Sequence, residues 1–147
     1  MKDDPITILL AEDDPEDGYL IGEALYESRI ASNVVTVEDG EELLDYLLRR
    51  GKYTDPESSP RPGLILLDLN MPRKDGREAL VEIKQHPHLR RIPVVVLTTS
   101  QAEEDIFRTY DVGISGYITK PASFTGLREA MKAVGNYWLQ VVSIPTE

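Results

Sequence analysis

The chain has no cysteine, no long apolar run and little positive charge. Without cysteine there can be no disulfide framework and no thiolate metal site, which suits a reducing compartment. No apolar run approaches the roughly 18 residues that a membrane-spanning helix requires, and the start, Met1 to Pro5, is acidic. These absences predict a cytoplasmic, soluble protein that does not contact a membrane.

Positive charge is too scarce for nucleic-acid binding. The chain has 16 Lys and Arg against 26 Asp and Glu, a formal net charge of −10, and no basic stretch longer than Leu89-Arg90-Arg91. A phosphate backbone would repel such a protein as a whole, so we do not expect nucleic acid as a direct ligand. The 147 residues, 41% of them hydrophobic, suffice for one core, and we expect a single domain.

Short strand-like segments alternate with helical patterns along the chain. Continuous apolar runs such as Leu64 to Leu67 are typical of strands that are buried on both faces. Strands separated by helices imply βαβ units, and therefore a doubly wound α/β fold with a five-stranded parallel sheet between helices. The five predicted strands are Ile6 to Ala11, Val34 to Val37, Leu64 to Asp68, Ile92 to Leu97 and Ser115 to Thr119.

Capping residues and apolar spacing mark several helices and one long loop. Asp14-Pro15 predicts the start of a first helix that reaches about Ser28. Ser100 begins a capping box for a fourth helix, and an apolar stripe from Phe124 to Val141 predicts the fifth. Gly51 to Gly63 is rich in turn formers and predicts a surface loop.

Three carboxylates follow predicted strands. Glu12 and Asp13 come after the first strand, and Asp68 ends the third. In an open parallel sheet, ligands bind beyond the carboxyl ends of the strands, so these groups converge if the first and third strands are neighbours. Converging carboxylates repel one another and favour a hard divalent cation. The sequence therefore predicts a Mg²⁺ site, in which Mn²⁺ can substitute.

Asp68 also has the chemistry of a nucleophile. A carboxylate that faces a metal can attack phosphorus and form an acyl phosphate. Phosphoryl transfer needs positive charge and donors near the phosphoryl oxygens. Lys120 follows the fifth predicted strand and Thr98 follows the fourth, so both are candidates for that role.

Four segments resemble the signature segments of response-regulator receiver domains: Ile8 to Asp14, Leu66 to Pro72, Val96 to Ser100 and Gly116 to Pro121. The resemblance extends over about residues 6 to 138, leaving a tail of 139 to 147. It implies a flavodoxin-like, CheY-like fold with strand order 2-1-3-4-5 and five helices. We expect one receiver domain over 1 to 147, without an output domain.

The resemblance implies a role for each strand-end residue. The protein would be a two-component response regulator that accepts a phosphoryl group from a histidine kinase. It would be a switch that catalyses its own phosphorylation and dephosphorylation, and not an enzyme with turnover. The implied roles are Asp68 as phosphoacceptor, Glu12, Asp13, Asp68 and the backbone carbonyl of Asn70 as metal ligands, Thr98 and Lys120 as phosphoryl contacts, and Tyr117 as the switch residue.

A closer resemblance points to one group of receivers. The long loop, Arg91 to Leu97, Asp105 to Phe107 and the ending Tyr137 to Leu139 with Ile144-Pro145 resemble the small regulators of cyanobacterial phytochrome kinases. This implies a phytochrome-type histidine kinase as partner. Homodimers are common in that group, and the stripe from Phe124 to Val141 is longer than a five-stranded sheet covers. We therefore expect a homodimer through the fifth helix and the C-terminal tail.

Simpler interpretations of these residues exist. Glu12 and Asp13 could belong to an acidic cluster that stabilises a helix N-terminus, and Asp68 could be a turn former. Thr98 could be a helix-capping hydroxyl, Lys120 a solvated lysine, and Tyr117 a packed strand aromatic. His86-Pro87-His88 could suggest a metal site, but a pair of surface histidines at a helix end is expected.

Two other functions compete with a receiver. A phosphohydrolase with an aspartate nucleophile would resemble Asp-x-Asp here, whereas the sequence reads Asp68-Leu69-Asn70, and an asparagine cannot act as general acid and base. A module that only binds partners would be expected to have lost Asp68 or Lys120, and both are present. Both features favour the phosphorylated switch.

Overall fold

The structure is a computed structural model that describes residues 7–27, 33–69, 71, 76–98, 116–119 and 124–135. No helix within these ranges is long and apolar enough to cross a bilayer. The strands are β1 (Thr7–Ala11), β2 (Asn33–Val37), β3 (Leu64–Asp68), β4 (Val94–Thr98) and β5 (Gly116–Thr119). The α-helices are α1 (Pro15–Glu27), α2 (Gly40–Leu48), α3 (Gly76–Gln85) and a C-terminal helix (Phe124–Gly135), and a 3₁₀ turn covers Gly51–Tyr53.

The five strands form one parallel sheet in the order β2-β1-β3-β4-β5. The order reverses at β1 and β3, because the chain first moves outward from β1 to β2 and then returns to β3 on the other side. The predicted doubly wound α/β fold and its strand order are confirmed. The reversal places the carboxyl ends of β1 and β3 side by side, where such folds bind ligands.

Alternate residues of the central strands face opposite layers of helices, because strand side chains have a period of two. Ile8 and Leu10 of β1 pack in one core cluster, and its helical members come from α1 and the C-terminal helix. Leu9 and Ala11 pack in a second cluster, whose helical members come from α2 and α3. Every residue of β1 and β3 is buried, as the continuous apolar runs predicted.

Most element boundaries agree with the sequence prediction, and β4 differs at its start. The prediction begins this strand at Ile92, but the Ile92 N–H donates to Leu89 O at 3.0 Å in a turn. Pro93 has no N–H, and only its carbonyl joins the sheet, accepting from Ile65 N at 3.0 Å. The predicted fourth helix from Ser100 and the tail beyond Gly135 lie outside the described residues.

The segment between α2 and β3 is a packed loop. The Tyr46 hydroxyl donates to Pro60 O at 2.7 Å, and the Tyr46 and Tyr53 rings meet edge to face with centroids 5.1 Å apart. The buried Ser59 hydroxyl donates to Tyr53 O at 3.0 Å and to Asp55 O at 2.7 Å. The sequence predicted a surface loop here, and the structure adds that the loop packs against α2 through the hydrogen bond and ring contact of Tyr46.

Candidate functional site

The pairing of β1 with β3 brings the predicted carboxylates together. Ala11 of β1 lies opposite Leu67 of β3. One step further along both chains, Glu12 and Asp68 occupy the same edge of the sheet. The turn into α1 carries Asp13 to this edge as well.

Glu12, Asp13 and Asp68 form the acidic cluster. Each offers one carboxylate oxygen, and these oxygens all lie within 4.8 Å of one another. Glu12 and Asp68 are buried, with 2% and 4% of their surface exposed, whereas Asp13 is exposed. Two of the carboxylates are therefore buried at the end of the sheet, and the third is reachable from solvent. A hard cation that prefers oxygen ligands fits this donor set, as Mg²⁺ and Mn²⁺ do.

The turn after β1 separates the cluster from the helix cap. The Glu12 N–H donates to Val37 O at 2.9 Å, which extends the β1–β2 pairing by one residue. An Asp14 carboxylate oxygen accepts from the N–H groups of Glu16 at 2.9 Å and Asp17 at 3.3 Å. Asp14 is therefore the N-cap of α1, as predicted. The N-cap is thus Asp14, whose N–H donates to a Glu12 carboxylate oxygen at 3.3 Å, while the carboxylates of Glu12 and Asp13 lie beside that of Asp68.

Leu69, the residue after Asp68, forms backbone hydrogen bonds to β4 and to the start of α3. Asp68 lies opposite Leu97 of β4, and the Leu69 N–H donates to Leu97 O at 3.4 Å. The Leu69 carbonyl accepts from the Gly76 N–H at 3.0 Å, which joins the start of α3 to the end of β3. No sequence pattern assigned Gly76 to the site. The Asp75-Gly76 pair, a common turn signal, was the available hint.

The remaining predicted residues are placed only by their strands. Thr98 ends β4 and directly follows Leu97, the residue that lies opposite Asp68. It pairs with Thr119 of β5. Tyr117 lies within β5 and pairs with Val96. The side chains of Thr98 and Tyr117, and the whole of Asn70 and Lys120, lie outside the described residues. Their assigned contacts with a phosphoryl group or a metal therefore stay predictions.

A solvent-open cleft of about 260 Å³ lies against the acidic cluster. The beginning of α1 and the end of β2 form its walls. Its lining includes three acidic residues and one exposed tyrosine, and through it a small hydrated cation can reach the carboxylates from solvent. The lining residues are Glu12, Asp13, Pro15, Gly18, Tyr19, Thr36 and Glu38.

The two histidines lie away from this chemistry. α3 ends at Gln85, and the backbone N–H of His88 donates to His86 Nδ1 at 3.3 Å. Their rings are tilted, with centroids 5.8 Å apart. Within the described residues, the carboxylate cluster is the group of three ligands suited to a metal, and neither histidine belongs to it. The prediction of histidines at a helix end is confirmed.

Comparison with known proteins agrees with this geometry. The family model described as the response regulator receiver domain matches residues 8–132. Response regulator Rcp1 of Synechocystis sp. is 45% identical over 96% of this chain and 94% of its own length. The crystal structure of the phosphorylated cyanobacterial phytochrome response regulator RcpA is 48% identical, covers 97% of this chain and 100% of that one, and has a TM-score of 0.88. The Mn²⁺-bound form of Rcp1 is 44% identical with the same coverage and a TM-score of 0.85.

Proposed function

The chain belongs to the response regulator receiver domain family, and from that premise we propose that it is a two-component phosphoacceptor switch whose acceptor is Asp68. The observation that carries the proposal is the cluster of Glu12, Asp13 and Asp68 at the strand reversal. A buried carboxylate at the end of a central strand, beside two further carboxylates, suits a nucleophile that works beside a cation.

We assign the cation as Mg²⁺, with Mn²⁺ as a substitute. Glu12, Asp13 and Asp68 would hold it, together with the backbone carbonyl of Asn70. When bound, it supplies positive charge next to the phosphoryl oxygens. The Mn²⁺-bound form of Rcp1 supports a divalent ion in a similar protein. The rigid placement of Glu12 and Asp68 in the sheet preorganises two of the ligands.

The transfer itself is a displacement at phosphorus. An oxygen of Asp68 forms a bond to phosphorus while the phosphorus–nitrogen bond of a donor phosphohistidine breaks. The electron pair of that bond stays on the imidazole of the donor. Lys120 and Thr98 are assigned to the phosphoryl oxygens, because Thr98 ends β4, which pairs with β3, and Lys120 directly follows β5, which pairs with β4. The same groups would serve the protein when it catalyses its own phosphorylation and dephosphorylation.

Phosphorylation would be read out on the neighbouring side of the sheet. Thr98 would move toward the phosphoryl group, and Tyr117 would turn into the space that it leaves. The face that changes is formed by the predicted fourth helix, β5 and the C-terminal helix. This face would have two arrangements, and phosphorylation of Asp68 would shift the equilibrium between them.

The proposed phosphoryl donor is a phytochrome-type histidine kinase. Support comes from RcpA, a cyanobacterial phytochrome response regulator that is 48% identical and covers 97% of this chain.

We also propose a homodimer through the C-terminal helix and the tail, carried by the apolar stripe from Phe124 to Val141. Because the donor kinase obtains the phosphoryl group from ATP, we place the protein in the cytoplasm.

Acetyl phosphate tests the acceptor without needing the cognate kinase. With Mg²⁺, the protein should acquire one acid-stable, base-labile phosphate on Asp68, located by peptide mass spectrometry. Asp68→Asn should acquire none there, whereas the matched variant His86→Ala/His88→Ala should be labelled as fully as wild type. Label on the histidines, or undiminished labelling of Asp68→Asn, would overturn the assignment. Phosphotransfer from a phytochrome kinase, compared with an unrelated kinase, tests the partner.

A further inference from the structure

We propose that Gly76 is a positioning residue for the phosphoacceptor site: the absence of a side chain at the start of α3 sets the place of the Asp68 and Leu69 backbone, and through it the affinity for the divalent cation. This inference rests on the proposed function for its metal, and it deepens that function by adding a residue that touches neither metal nor phosphate.

Gly76 has no room for a side chain. A Cβ at this position would lie 2.6 Å from Asp68 O and 2.9 Å from Leu69 Cα. Carbon atoms in contact prefer about 3.5 to 4.0 Å, and both distances lie below 3.0 Å, closer than real Cβ atoms approach any heavy atom outside their own chain neighbourhood. The atoms that it would meet are main-chain atoms, and no side chain can rotate away to relieve the overlap. A methyl group here must displace either α3 or the end of β3.

The constraint is one of distance and not of backbone conformation. Among the described glycines, Gly51 has a positive φ, of 60°, and Gly76 does not. An alanine could therefore adopt the φ of Gly76 without strain. What Gly76 permits is a close approach between a helix and a strand, as glycine does where two backbones come together.

α3 cannot easily retreat from this contact. Ala79, Leu80 and Ile83 are fully buried in the core cluster that lies under the helix. A shift of about 1 Å along these side chains would break close packing, which interiors resist strongly. The Gly76 N–H also donates to Leu69 O at 3.0 Å. The overlap would therefore be relieved at Asp68 and Leu69, directly before Asn70, whose carbonyl is a proposed ligand.

Gly22 makes a matched control, whereas Gly18 lies beside Glu12, a proposed ligand, and does not. A Cβ at Gly22, within α1, would have no neighbour within 4 Å. A Cβ at Gly18 would be 3.6 Å from Thr36 Cγ2 and 3.9 Å from Glu12 Cγ, which is ordinary contact. Gly22→Ala should leave the site untouched and stabilise α1, because alanine has the higher helix propensity. The same chemical change thus has opposite consequences at Gly22 and Gly76.

The experiment compares wild type, Gly76→Ala, Gly22→Ala and Gly22→Ala/Gly76→Ala. Calorimetric titration with MgCl₂ and MnCl₂ measures affinity, and thermal unfolding measures stability. Gly76→Ala should lose affinity roughly 10- to 100-fold, the usual effect of disturbing residues that orient metal ligands. The double variant should recover stability without recovering affinity. Leu80→Ala, which opens a cavity under α3, should lower stability without changing affinity.

A readout without metal separates this inference from the proposed function. In metal-free protein, the Gly76→Ala changes in amide ¹H–¹⁵N shifts should centre on Asp68 and Leu69, and the Leu69 amide should exchange faster. If wild type binds no divalent metal, the proposed function fails. The amide shifts in metal-free protein still test whether Gly76 positions the Asp68 and Leu69 backbone. Wild-type affinity in Gly76→Ala overturns the inference. A double variant that does not fold even in the cold also overturns it, because Gly76 would then be a requirement of folding alone.

Discussion

The carboxylates of Glu12 and Asp68 meet across the β1–β3 pairing, both buried and with ligand oxygens within 4.8 Å of each other. Two unit charges at such a distance repel by roughly 3 kcal/mol at an effective dielectric constant of about 20. Asp13 adds a third carboxylate from the solvent side. The free energy of the fold and the affinity for a cation are therefore coupled at this site.

This coupling predicts opposite effects of one substitution. Without metal, Asp13→Asn removes a repelling charge and should raise the melting temperature by about 2 to 4 °C. With Mg²⁺ at 100 times its Kd, wild type should gain about 2.7 kcal/mol of stability, and the variant should lose most of that gain. Glu12→Gln should weaken Mg²⁺ binding less, because we expect Glu12 to act through a bound water. Calorimetry and thermal melts measure both effects.

The control for Asp13 is Glu23→Gln, which removes one charge from the exposed face of α1 outside the cluster. It should leave the stabilisation by Mg²⁺ unchanged. A Mg²⁺-dependent gain in Asp13→Asn as large as that of wild type would contradict the metal site.

Acid should remove a stabilising interaction at the start of α2. Burial alone raises the pKa of Glu42. The Tyr53 hydroxyl at 2.5 Å, the Glu38 N–H at 2.8 Å and the Lys52 ammonium at 3.1 Å outweigh burial and hold the pKa below its ordinary value of 4.5. A carboxyl with a lowered folded-state pKa stabilises the fold above its ordinary pKa. That contribution is lost as the pH falls through the folded-state pKa.

Glu42→Gln should therefore be less stable than wild type at neutral pH, by about 0.5 to 1 kcal/mol, and the difference should shrink as the solution is acidified below pH 4.5. Urea unfolding across this range measures it. Tyr53→Phe should move the pKa of Glu42 upward in an NMR titration. A stability difference that persists unchanged in acid would show that Glu42 acts through packing instead.

The packed loop predicts a local effect of one hydroxyl. Tyr46→Phe removes the donor to Pro60 O, and leaving that carbonyl unpaired should cost about 1 kcal/mol. Hydrogen exchange should speed up between residues 51 and 63 and remain unchanged in β1 and β3. Tyr19→Phe, at a hydroxyl on a residue that is 66% exposed, is the control and should change neither. Uniformly faster exchange in Tyr46→Phe would mean that the loop is not a separate unit.

The proposed dimer predicts a change in sedimentation. Wild type should sediment as a dimer at micromolar concentration, because the sequence predicts an apolar stripe that continues through Tyr137, Trp138 and Val141, longer than a five-stranded sheet is expected to cover. Trp138→Ala and a chain truncated after Asn136 should be monomers or should form a weaker dimer than wild type. Phosphorylation should change the strength of the dimer and need not create it. If all three proteins sediment as monomers, with and without phosphorylation, the stripe is only core.

The sequence by itself determined the strands, the sheet class and the carboxylates at the strand ends. Leu64 to Leu67 predict a buried central strand because an apolar run needs cover on both faces wherever the chain goes. Asp14 predicts the start of α1 because a cap acts within one turn. Such signals are local, and the strand order followed from resemblance to a known family.

Only the tertiary structure decided the features that depend on contacts between distant residues. The approach of Gly76 to the Asp68 carbonyl has no local signature, because Asp-Gly marks a turn anywhere in a chain. Pro60 and Tyr53 form hydrogen bonds with Tyr46 and Glu42 of α2. Both lie in a loop that is rich in turn formers and has no apolar periodicity, so no sequence pattern predicts these contacts. Turn chemistry shows where the chain bends, whereas main-chain approaches and hydrogen bonds between residues 8 to 14 positions apart decide what the bend then touches.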